Sequence, residues 1–147
     1  MPTDTLFQTA NMLALAGWLV LALSPLSPRW SDRIAGLAIP FGLSTGYTAL
    51  VLAFWSRAPG GFDSLPNVML LFTYPEIALA GWVHYLAFDL LIGAWIARSA
   101  RAEGIHHLLV LPMLALTFLF GPAGYLAFTL LRASRNLHAP LMTEPRI

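Results

Sequence analysis

Four long runs of apolar residues, separated by shorter polar stretches, dominate this chain. The first covers 6–23, with Gln8 and Asn11 near its start and Ser24-Pro25 closing it. The second covers 34–55 and carries Pro40, Gly42 and Gly46. The third covers 76–97 and is ended by Arg98 and Arg101. The fourth covers 108–131, is interrupted by Gly121-Pro122, and is stopped by Arg132 and Arg135. None shows the polar stripe of a surface helix; each is apolar all round. A hydrocarbon core about 30 Å thick takes roughly 20 such residues to cross. The pattern therefore predicts an all-α protein, an integral membrane bundle of four transmembrane helices. It forms one transmembrane domain over 1–147, with a C-terminal tail at 132–147 and both termini on one side.

The connections add one element. Residues 24–33 make a short turn with Pro25 and Pro28 that holds Trp30 at the interface, and 98–107 is short and polar. The longer connection, 56–75, contains Ser64-Leu65-Pro66-Asn67 followed by the apolar Val68 to Phe72. Ser64 suits a helix N-cap with Pro66 in the first turn. A helix over 64–72 is too short to span and is expected to lie at the interface, with an irregular loop as an equally good reading of the segment. No basic residue precedes the first run, and Ser24-Pro25-Leu26 is a poor cleavage site, so that run is expected to stay as a span.

Composition removes several function classes. Of the 147 residues, 58% are hydrophobic and only 10% charged, against about a quarter charged in ordinary globular chains. The eight basic residues are all Arg, scattered singly or in pairs at a net charge of +1, which is no nucleic-acid footprint. With no cysteine, disulfides and thiol chemistry are excluded. Four spans would place Arg57, Arg132, Arg135 and Arg146 on one side and Arg29, Arg33, Arg98 and Arg101 on the other. The positive-inside rule needs an excess, and this is a tie.

Candidate chemistry sits in the third run, which holds Glu76, Trp82, His84, Tyr85 and Asp89. Charge in hydrocarbon is costly and marks functional candidates by default. Helical spacing puts Glu76, Ala80, His84, Phe88, Leu91 and Trp95 on one stripe, and Trp82, Tyr85, Asp89 and Ile96 on another. His84 and Asp89 diverge by about 140° and about 7.5 Å along the axis, so they do not exchange a proton directly. With aligned antiparallel neighbours, His84 lies level with Tyr47 and with Gly121-Pro122, and Asp89 level with Gly42 and Thr117. Pro122 has no N–H for the Phe118 carbonyl and favours a kink there. A His, a Tyr, a kinked backbone and an Asp thus make a mid-membrane site. Plainer roles compete. Glu76 after Pro75 suits an ordinary helix N-terminus, Tyr47 suits packing, and His106-His107 suits the interface. Gly42 and Gly46 read as a close helix-crossing surface.

Several chemistries fail on residue supply. Four scattered His do not make a di-iron cluster, and His84 lies about 20 Å by helix rise from the level of His107, too far for bis-His haem. Zinc asks for three or four convergent ligands. No phosphate loop or nucleophile elbow is present. The expectation is no metal and no cofactor, leaving acid–base work on an apolar substrate or no catalysis.

The stretch Trp82-Val83-His84-Tyr85-Leu86-Ala87-Phe88-Asp89-Leu90 resembles the signature of the abscisic-acid-deficient-four-like membrane proteins. Glu76 upstream and Phe120-Gly121-Pro122-Ala123-Gly124 downstream support it, and the resemblance is strongest from Trp55 to Arg132. Plant members are linked to neoxanthin formation, in which an epoxide of violaxanthin opens to an allene without net redox change. The resemblance implies His84 and Asp89 as acid–base candidates and Glu76 as a weaker one; Tyr47 joins them from depth matching alone. Trp82, Tyr85, Gly121 and Pro122 are the expected substrate-binding positions. The Lys-free, Ala/Leu/Arg-rich style points to a multi-pass protein of a bacterial inner membrane, and the resemblance implies a carotenoid or related terpenoid as its substrate. Expected partners are the lipid bilayer, that apolar ligand, and further copies of the chain in a homo-oligomer. The alternative is a non-catalytic scaffold or lipid-binding subunit of a pigment-synthesis complex, with His84 and Asp89 locking helices. A small proton-relaying transporter ranks third.

Overall fold

The computed structural model describes residues 3–138. Helices α1 (Thr3–Ala22), α2 (Pro28–Arg33), α3 (Ile39–Phe54), α4 (Leu65–Leu71), α5 (Pro75–Ala102), α6 (His107–Phe120) and α7 (Pro122–His138) account for nearly all of them. No strand occurs among the described residues. A helix satisfies every backbone group within the segment, which apolar surroundings demand. Three helical stretches are long and apolar enough to cross a membrane: Thr3–Ala22, Pro28–Arg57 and Pro75–Ala102. They match the first three apolar runs, lengthened by a few residues. Residues 139–147, including Arg146 of the expected tail, lie outside the described residues, and the tail's first part, 132–138, continues α7.

The second crossing stretch is one helix of mixed pitch. Between α2 and α3 lies a π-helical turn, Ile34–Ala38, in which the Ile39 N–H donates to the Ile34 carbonyl. Pro40 follows two residues later. Proline lacks the donor a regular turn needs and its ring crowds the carbonyl four residues back. Widening that turn by one residue relieves both. The short α4 forms as its sequence suggests, with the Ser64 side chain accepting from the Asn67 N–H at 3.3 Å.

The expected fourth span over 108–131 is not one helix. Gly121, at φ +44° and ψ −96°, ends α6, and Pro122 opens α7. Positive φ suits glycine past a helix C-terminus, and proline suits the first helical position. The chain reverses there. A Cβ on Gly124 would collide with Thr117 of α6, and Arg132 near the end of α7 donates to Glu103 at 2.9 Å, beside the start of α6. The run is a helical hairpin that turns halfway along the bundle.

Helix α5 is the hub. Leu90 lies against Gly17 of α1, and Trp18 fills the space over Gly93. Trp95 packs on Tyr125 and Phe128 of α7 at 5.4 and 5.6 Å between ring centroids. The ends are tied by polar contacts: Arg101 donates to both oxygens of Asp32 at 2.7 Å, and His107 Nε2 meets the Ala22 carbonyl at 2.8 Å. Small residues do permit close helix approach here, but at Gly17 and Gly93. Gly42 and Gly46, expected to form a crossing surface, border open space instead: a Cβ added at either would meet nothing within 4 Å.

Candidate functional site

The singled-out residues of α5 fall on two faces, as their spacing requires. His84 faces α3. Its ring lies 5.4 Å from that of Tyr47 and 4.5 Å from that of Phe88. The depth match between His84 and Tyr47 therefore holds. Both line a cavity of about 250 Å³ whose remaining walls include Val51, Trp55, Phe62, Phe72 and Ile77. Trp55 and Phe62, 5.1 Å apart, close it toward the α4 end, and Phe72 occupies the space beside Gly81. His84 itself is exposed on the flank of the bundle. The cavity thus opens sideways between α3 and α5, and its only titratable side chains are an imidazole and a phenol.

The other face carries Trp82, Tyr85 and Asp89. Trp82 donates to Asn11 of α1 at 2.9 Å and stacks on Tyr85 at 5.3 Å. The Tyr85 hydroxyl donates to the Leu119 carbonyl at 3.3 Å, capping one of the carbonyls left open at the end of α6. Asn11, Trp82, Tyr85, Phe118 and Leu119 line a second cavity of about 330 Å³ between α1, α5 and the hairpin tip. The sequence marks Asn11 only as a polar position in the first run; its place opposite Trp82 follows from α1 and α5 running parallel.

Asp89 is 5% exposed and lies against Gly121 at the hairpin tip, with Oδ1 only 2.6 Å from where a Cβ on Gly121 would stand. Its Oδ2 is buried and has no hydrogen-bond partner among the described residues. The first turn of α7 begins beside it, where the helix dipole favours a carboxylate. Depth matching puts Asp89 level with Thr117 and Gly42, and Gly121-Pro122 level with His84. Because the fourth run turns back instead of crossing, the tip sits more than a turn deeper along α5, at Asp89. Gly121 and Pro122 therefore do not join His84 and Tyr47. Glu76 is half-buried in the first turn of α5 and lines neither cavity. No group of three His, Cys, Asp or Glu that could hold a metal ion occurs among the described residues.

Nothing among curated proteins or solved structures matches this sequence. The sequence profile of one family does, over residues 5–128, from the first turns of α1 to the buried Phe128 of α7. That span takes in both faces of α5 and the Gly121-Pro122 reversal, so this membrane protein belongs to the ABA DEFICIENT 4-like family.

Proposed function

We propose that the chain is a multi-pass membrane protein acting as a cofactor-free acid–base isomerase on a carotenoid or related terpenoid. The observation that carries this reading is the pairing of His84 with Tyr47 in a sideways-opening cavity with otherwise apolar walls. A substrate dissolved in hydrocarbon reaches such a cavity laterally, and an imidazole beside a phenol can take one proton while giving another. For an epoxide conjugated to a polyene, Tyr47 donates its proton to the oxygen as the C–O bond breaks. His84 removes a proton from the neighbouring polyene carbon, and that C–H pair becomes the new C=C bond. Atoms and electrons balance without a redox partner, and return of the proton from His84 to Tyr47 resets the site. Asp89, Trp82 and Tyr85 then hold the hairpin tip and α1 in place, and Glu76 sits at a helix start.

The test is product formation in a host that makes epoxy-carotenoids. Tyr47→Phe and His84→Gln should each lower it by about a hundredfold or more, with protein level and folding unchanged. Wild-type product from both folded variants would remove the catalytic reading. A binding role without chemistry is favoured by a different observation, an apolar groove of about 360 Å³ between α1 and α3, floored by Gly42 and Gly46. On that reading pigment co-purifies with the wild type and both variants and is recovered unconverted.

A further inference from the structure

The hairpin changes which residues share an end of the molecule. One end holds the start of α1, the 55–64 connection, α4 and the start of α5; among the described residues its arginine is Arg57, beside the acids Asp4, Asp63 and Glu76. The other end gathers Arg29, Arg33, Arg98, Arg101, Arg132 and Arg135, because α7 returns to the side from which α6 starts. Its acids among the described residues are Asp32 and Glu103, already engaged by Arg101 and Arg132. Arg29, Arg33, Arg98 and Arg135 have no acidic partner among the described residues.

We propose that this end is the cytoplasmic face and that its arginines seat the phosphates of anionic glycerophospholipids between α2 and the last turns of α5. An arginine excess near span ends fixes the cytoplasmic side, and among the described residues six against one is such an excess. The niche has a defined geometry. Arg98 lies across the π turn, its Nη1 2.6 Å from where a Cβ on Gly36 would stand, so the guanidinium rests directly on the glycine's open face. One turn on, Arg101 binds Asp32 through Nη2 while its Nη1 is buried with no hydrogen-bond partner among the described residues. Arg33 stands next to Asp32, its guanidinium 5.8 Å from the ring of Trp30. Exposed Trp30, Leu26 and Leu37 flank these charges with the apolar surface that acyl chains cover. Planar guanidinium groups at headgroup depth match phosphate oxygens in charge and in shape. A lipid phosphate is favoured over a free ion because the same niche carries this apolar border.

The protein would be reconstituted in vesicles of equal parts phosphatidylcholine and phosphatidylglycerol and extracted into mild detergent. Retained lipids would then be counted by native mass spectrometry. Phosphatidylglycerol should be enriched in the wild type and in Arg57→Gln. Enrichment should fall roughly fivefold for each of Arg33→Gln and Arg98→Gln. No enrichment, or equal loss with Arg57→Gln, would overturn the proposal, as would displacement of the lipid by millimolar inorganic phosphate. Sidedness is read separately, since the chain has no cysteine of its own. In intact cells an impermeant maleimide should label Ser56→Cys and spare Ser27→Cys; the reverse pattern overturns the cytoplasmic assignment.

Discussion

Single cysteines introduced at Thr5 and at Ser134 should react with an impermeant maleimide from opposite sides of the membrane. Both positions are exposed, at the start of α1 and late in α7. Three crossing helices carry the chain from one end of the molecule to the other. The hairpin that follows enters from that second end and leaves by it. The fold-back rests on three independent contacts: Arg132 with Glu103, Trp95 with Tyr125 and Phe128, and Gly124 against Thr117. A straight fourth span would place position 134 on the side of Thr5, so labelling of both from one side would refute the hairpin. Irregular backbone at mid-depth is tolerated only where protein surrounds it. Gly121 meets that condition: it is buried, its N–H donates to the Thr117 carbonyl at 2.8 Å, and Asp89 lies over it.

The second large effect belongs to that glycine. Gly121→Ala forces a side chain into a left-handed conformation and drives its Cβ toward the Asp89 carboxylate, 2.6 Å away. Backbone strain of this kind costs about 1–3 kcal/mol, and overpacking a filled site costs about the same again. Against a total stability on the order of 5–15 kcal/mol, the variant should unfold at markedly lower denaturant and accumulate poorly. Adding Asp89→Ala should recover the steric part and leave the strain. Wild-type stability of Gly121→Ala would show that the tip is not packed against Asp89. Asp89→Asn is a milder change. It keeps the shape, so its cost should stay near the ~0.6 kcal/mol of an average interhelical polar contact in membranes, and product formation should persist. Loss of product from folded Asp89→Asn would return this residue to the chemistry.

The first three helices, the cap at Ser64 and the two faces of α5 are legible in the sequence, because run length, cap chemistry and helical spacing are local properties. The meeting of Tyr47 with His84 is legible as well, since both lie at matching depth on adjacent antiparallel helices. The fourth run is not. Its 24 mostly apolar positions satisfy a crossing helix and a folded-back pair about equally well, and Gly121-Pro122 reads as a kink or as a stop followed by a start. Glycine at a helix end followed by proline at a helix beginning is the available signal, together with the arginines that make the far part of α7 two-sided. Misplacing that run also shifts the tip relative to Asp89 and His84, and it redistributes the arginines between the two ends. The open surface at Gly42 and Gly46 is hidden for a different reason. Small residues allow helices to approach but do not compel them to, and α1 finds its close contacts on α5 instead.

The π turn at Ile34–Ala38 acts as a phase correction. One residue added to a helix rotates everything beyond it by about 100°. Asp32 must face Arg101 before the turn, and Tyr47 must face His84 after it, on the same helix α5. The buried positions record the slip, passing from Ala35 to Pro40 in five residues and from Pro40 to Leu43 in three. Deleting Ala38 would restore a regular pitch and force a choice between the two ends. If the ion pair kept its alignment, the phenol would swing out toward lipid; if the phenol stayed, the guanidinium would lose its carboxylate. Length within this one turn, more than the identity of any side chain in it, keeps the cavity and the arginine end aligned on a single helix.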